Sequence, residues 1–60
     1  MKKLDDYLKL NKKNGCFYRV YDSDNDIVAC GYNINYSELL SKIVIKVERR
    51  MNYINIYLAY

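Results

Sequence analysis

A chain of 60 residues with a formal net charge of +3, eight tyrosines and no histidine, tryptophan or proline excludes much by composition alone. A chain of about 60 residues buries only about 60% of the surface its unfolded form exposes, so it has room for one domain, residues 1–60, and no depth for an enclosed substrate pocket. With Cys16 and Cys30 as the two thiols and Gly15 and Gly31 as the two glycines, a zinc site, a serine–histidine pair and a glycine-rich phosphate loop are ruled out, and neither an enzyme nor a cofactor or metal is expected.

From the N-terminus, Met1-Lys2-Lys3-Leu4 begins like a secretory leader but runs into Asp5-Asp6 instead of an apolar stretch. The chain reads as cytoplasmic. No apolar run, Ile43-Val44-Ile45 among them, approaches the roughly 18 residues a membrane span needs, so no membrane partner is expected. Leu4, Tyr7 and Leu8 fit one or two helical turns over residues 4–10, and residues 11–15 read as a loop. Residues 16–21 and 27–32 are β-prone runs around Asp22-Ser23-Asp24-Asn25-Asp26, a cluster of turn formers, which predicts a hairpin with pairs 21:27 and 18:30.

Tyr36, Leu39, Leu40, Ile43, Val44, Val47 and Met51 follow the spacing of one helical face and predict an amphipathic helix over residues 36–51. Asn35 or Ser37 would cap it, Arg49 and Arg50 would sit in its last turn, and Asn52 would stop it. The competing reading makes residues 43–50 a strand, because Ile43, Ile45 and Val47 alternate and β-branched residues favour sheet. Residues 53–60 alternate as a final strand. The preferred reading is α+β, in the order α-β-β-α-β. It has a small three-stranded antiparallel sheet of strand order 2-1-3, with one long helix on one face. Cys16, Tyr18, Val20, Val28, Cys30, Ile54, Ile56 and Leu58 would meet the helix. Phe17, Arg19, Tyr21, Tyr53, Asn55 and Tyr57 would line the opposite face.

That outer face is the candidate site. Tyrosine and arginine are enriched at interface hot spots, so rings beside Arg19 suit a protein partner, helped by a free strand edge and by the acidic turn of Asp22, Asp24 and Asp26. The same rings could stack the bases of a single-stranded nucleic acid, with Lys12, Lys13, Arg49 and Arg50 as a phosphate-contacting rim. Charge leaves both readings open: residues 1–14 carry +3 (five lysines, two aspartates), residues 15–36 carry −2 (Arg19 against three aspartates) and residues 37–60 carry +2 (four bases, two acids). A homodimer seam is a third reading of the same face.

Two further motifs resolve to ordinary structure. Asp22-Ser23-Asp24-Asn25-Asp26 starts like a calcium loop, but Ile27 stands where the glycine should be and Asn33 where the glutamate should be, so a polar turn is expected. Cys16 and Cys30 would lie diagonally across the hairpin, too far apart to bridge without strain, and are expected to be buried free thiols. A small, tyrosine- and asparagine-rich, proline-free chain is similar in general character to small phage or mobile-element proteins that bind and inhibit a host or defence protein. The likeness rests on size and composition and implies a non-catalytic, inhibitor-like interaction module.

Overall fold

Alternation, not helical spacing, governs the second half of the chain. The computed structural model describes residues 2–10, 17–32, 34 and 36–60. Its elements are α1 (Leu4–Leu10), β1 (Phe17–Tyr21), β2 (Ile27–Gly31), α2 (Ser37–Leu40), β3 (Val44–Arg49) and β4 (Tyr53–Leu58). The four strands form one mixed sheet of order β2-β1-β4-β3. This overturns the expected three-stranded antiparallel sheet with one long helix.

The expected helix over residues 36–51 is in fact two elements. Only α2 is helical, with Tyr36 as an N-cap that makes no side-chain capping bond, and Leu39 as its buried residue. Ser41 closes it by donating its hydroxyl to the Glu38 carbonyl, and Lys42 N–H bonds to Leu39 O. Beyond that point come Ile43, Val44, Ile45 and Val47, whose branched side chains are stiff at χ1 and pack well on a pleated surface. A partner strand is available to them. β3 turns through Met51 and Asn52 and pairs antiparallel with β4, which gives these residues both a hydrogen-bond ladder and a face to bury. The strand alternative for residues 43–50 was therefore the correct one.

The additional strand also explains the sheet's polarity. β1 and β2 are antiparallel, as the hairpin requires. The chain then crosses through α2 to the far edge, runs along β3 and reverses once more. As a result β4 arrives beside β1, as expected, but parallel to it.

One face of the sheet is the core. Leu4, Tyr18, Val20, Ala29, Ile34, Leu39, Ile54, Ile56 and Leu58 form the buried cluster, with Tyr7, Leu8, Val28, Leu40, Val44 and Val47 packed around it. A fully buried Val, Leu or Ile contributes about 1.5–3 kcal/mol, so Leu4, Val20, Ile56 and Leu58, all completely inaccessible, are its main anchors. A helix as short as α1 has little intrinsic stability and is held by that packing. Its start is also pinned to the sheet, with Leu4 N–H bonded to Lys42 O and Val44 N–H to Lys2 O. Asp5 and Asp6 in its first turn and Lys9 in its last match the helix dipole.

Two β-bulges set the registers. On the hairpin, Tyr21 pairs with Ile27 as expected, but Val20 pairs with Ala29 and Tyr18 with Gly31, which leaves Val28 as an extra residue. A one-residue slip sends side chains to the other face. Ala29 thus enters the core and Cys30, expected to be buried, is exposed. Cys16 lies outside the described residues, as do Lys12, Lys13 and Asn35. The second bulge, between Val44 and Lys46, leaves Ile45 unpaired and exposed.

Candidate functional site

Strand registers dictate what the uncovered face displays. Because Tyr18, Val20, Ile54 and Ile56 point into the core, their neighbours Phe17, Arg19, Tyr21, Tyr53, Asn55 and Tyr57 share the opposite face, as expected from the sequence. Neither helix lies on it, since the residues of α1 and α2 that bury do so in the core cluster. Reading across β2, β1, β4 and β3, the middle row is Cys30, Arg19, Asn55 and Glu48, and the row at the acidic-turn end is Ile27, Tyr21, Tyr57 and Lys46. The row at the other end is Tyr32, Phe17, Tyr53 and Arg50, joined by the 5.3 Å edge-to-face contact of Phe17 with Tyr32, the Phe17–Tyr53 pairing and the bond from Arg50 N–H to Tyr53 O. Two aromatic rows therefore flank a polar one.

The rings are locked by one another and by cations. Tyr21 and Tyr57 stack at 4.9 Å with their planes 15° apart, Lys46 Nζ lies 5.3 Å from the Tyr57 ring centroid, and the Arg19 guanidinium lies 4.4 Å from that of Tyr53. The Tyr57 hydroxyl donates to Glu48 Oε1 at 2.8 Å, while Lys46 and Arg50 each approach Glu48 Oε2 to 3.4 Å. Donation from Tyr57, reinforced by Lys46, holds the Glu48 carboxyl below its usual range against the opposing effect of burial. The same bond stabilises the neutral phenol and pushes Tyr57 up. Asn55 is only 8% exposed and stands opposite Glu48 in the β3–β4 pairing, while its Oδ1 meets no donor among the described residues.

The acidic turn is built for shape. Asp22 Oδ1 accepts from the N–H groups of Asp24 (2.9 Å) and Asp26 (3.0 Å), and Asn25 adopts φ 65°, a left-handed conformation that asparagine tolerates. With Asp22 occupied in this way, Asp22, Asp24 and Asp26 do not converge. Among the described residues, no group of three metal-ligating side chains is gathered anywhere. Ser23 N–H bonds to Tyr60 O at 2.7 Å, tying the turn to the end of the sheet. An open cleft of about 390 Å³ at this end is lined by Tyr21, Asp22, Ser23, Lys46 and Tyr57, among others.

Of the four residues expected as a phosphate-contacting rim, Lys12 and Lys13 lie outside the described residues. Arg49 and Arg50 lie at the end of β3, not in a last helical turn, and Arg50 is engaged by Glu48. The sequence reading missed Ile27, which faces this side through its expected pairing with Tyr21; Cys30 and Tyr32, brought to the face by the Val28 bulge; and Lys46 and Glu48, hidden by the helix assignment. Ile27 (55% exposed) and Tyr32 (69%) make the β2 side of the face its most open apolar part. Among the described residues, no helix is long and apolar enough to cross a membrane. No protein-family model, curated protein or solved structure matches the chain.

Proposed function

We propose that this chain is a small non-catalytic interaction module that binds one protein partner through the open sheet face, with the acidic turn at its margin. The observation that carries this reading is a face with five aromatic rings, Phe17, Tyr21, Tyr32, Tyr53 and Tyr57, on the side of the sheet that neither helix covers. Tyrosine provides large amphipathic contact area for little side-chain entropy. Here the stacked Tyr21–Tyr57 pair and the Arg19–Tyr53 pair are ordered before any partner arrives, which lowers the cost of association. A cytoplasmic setting and an inhibitor-like role toward a host or defence protein belong to the same proposal and draw their support from size and composition.

The face, more than a strand edge, supports this reading. Both edge strands carry a bulge, a device that discourages edge pairing, and residues 2–4 already occupy the start of the β3 edge. Single-stranded nucleic acid is the less supported partner. The faces of Tyr21, Tyr53 and Tyr57 are engaged by one another or by Arg19 and Lys46, and Glu48 and the three turn aspartates set negative charge beside the rings. Replacing Tyr21, Tyr53 and Tyr57 together by serine tests the proposal. Partner affinity, measured by titration on a variant whose amide spectrum shows it still folded, is expected to fall by at least 100-fold, and an unchanged affinity refutes the reading. Binding that weakens along a straight line in log salt would point to nucleic acid, and self-association in a sedimentation concentration series would point to a homodimer.

A further inference from the structure

Arg19 stands apart from the other charges on the open face. The chain has seven acidic residues, all of them among the described residues, and none forms an ion pair with Arg19. Asp5 pairs with Lys9, Glu48 pairs with Lys46 and Arg50, and Asp22 is occupied by backbone amides. Arg19 instead lies over the Tyr53 ring, 4.4 Å from its centroid, and no carboxylate pairs with its N–H groups. A guanidinium presents five donors in a rigid fork that matches a carboxylate through two parallel hydrogen bonds. Phe17 and Tyr21 flank it along β1, so an acid entering between these rings would leave water and gain in electrostatic strength.

Resting on the reading of this face as a protein contact, we infer that Arg19 is the anchor of that contact and that it receives the carboxylate of an Asp or Glu side chain flanked by apolar residues on the partner. Charge complementarity favours one isolated carboxylate over a polyphosphate strand. Glu48 lies two strands away, about 9.5 Å at the usual strand spacing, and the aspartates of the turn close the other end. A backbone of closely spaced phosphates would meet one or the other, whereas a single acid on an apolar segment meets neither. The apolar neighbours of that acid would rest on Phe17, Tyr32 and Ile27.

Panning the full chain against a random 12-residue peptide library, then titrating the enriched peptides, tests the inference. The peptides are expected to share an Asp or Glu beside aromatic or aliphatic residues. Arg19→Gln is expected to weaken them about 10- to 100-fold, as loss of a charge-assisted hydrogen bond does, and Arg19→Lys to restore only part of that loss. Changing the peptide's acid to its amide should cost as much, and should cost nothing further in Arg19→Gln. The acid-to-amide change read on the unaltered protein stands even if Arg19→Gln fails to fold, and Arg19→Lys then supplies the Arg19-dependent comparison. Enriched peptides without an acid, peptides indifferent to both changes, or no enrichment at all would overturn the inference. Peptides that ignore Arg19 but are lost on serine substitution of Tyr21, Tyr53 and Tyr57 would overturn it while keeping the protein-contact reading. Arg19-dependent binding of a labelled 15-residue oligothymidylate would assign the cation to phosphate and overturn it as well.

Discussion

Truncating Ile56 to alanine tests which face of the sheet is the core. Ile56 is completely buried and lies between Val20 on β1 and Val47 on β3, at the centre of the apolar face. The substitution removes the equivalent of three methylene groups, about 2.4 kcal/mol at about 0.8 kcal/mol each. The cavity left behind adds to this, within the range of about 2–5 kcal/mol measured for such truncations. At about 0.05–0.15 kcal/mol per residue, a chain of this length has a total stability of about 3–9 kcal/mol. Ile56→Ala should therefore remove between about a quarter and all of it. Ile45, the last residue of the apolar run 43–45 on the neighbouring strand but left exposed by the β3 bulge, serves as the control, and Ile45→Ala should shift stability by no more than about 0.5 kcal/mol. Urea titration followed by far-ultraviolet circular dichroism reads both, with the midpoint falling at constant slope for a pure stability change. A loss below about 1 kcal/mol for Ile56→Ala, or a larger loss for Ile45→Ala than for Ile56→Ala, would refute the assignment of faces.

Three further outcomes are expected. Gly31 adopts φ +132° with nothing within 4 Å of where a Cβ would stand, so Gly31→Ala should cost about 1–2 kcal/mol through backbone strain alone, and a neutral result in the same titration would show that the chain relaxes there. Asp22→Ala leaves the Asp24 and Asp26 amides without their acceptor and should cost about 1 kcal/mol, with faster hydrogen exchange at those two amides as its local signature. The Glu48–Tyr57 bond stabilises the fold within a pH window. Glu48 is lowered in the fold, so its contribution is present above the ordinary glutamate value of about 4.3 and is lost as pH falls below it. Tyr57 is raised, so its contribution is present below the ordinary tyrosine value of about 10 and is lost as pH rises beyond it. Tyr57→Phe should remove the alkaline part of that dependence in thermal melts run across pH, and an unaltered alkaline limb would dissociate the two groups.

The sequence was legible where one physical signal dominated. Turn formers at 22–26 between two β-prone runs announced the hairpin, and the strict alternation of Ile54, Ile56 and Leu58 with Tyr53, Asn55 and Tyr57 assigned the last strand's two faces. It was misleading where two periodicities coincided. Residues 36–51 carry apolar side chains at helical spacing, and residues 43–47 within them carry the β-branched side chains of a strand. What decided between the two lay elsewhere in the chain, in the last strand, whose free side required a partner. Without that strand the polarity of the sheet could not be deduced, because each added hairpin reverses the direction in which the chain returns.

The bulges were invisible for a different reason. A single extra residue leaves composition and spacing almost unchanged, yet it decides which side chains share a face. Val28 shifts Cys30 from the core to a position beside Arg19 and places Tyr32 against Phe17, while the Ile45 bulge shifts the register so that Lys46 and Glu48 stand beside Tyr57 and Asn55. The same two residues break the regular alternation of backbone donors and acceptors on the two edge strands, where an incoming strand would otherwise dock. One local irregularity on each edge thus both widens the aromatic face and discourages the alternative use of the sheet, which is why recognition through side chains is the more economical reading of this architecture.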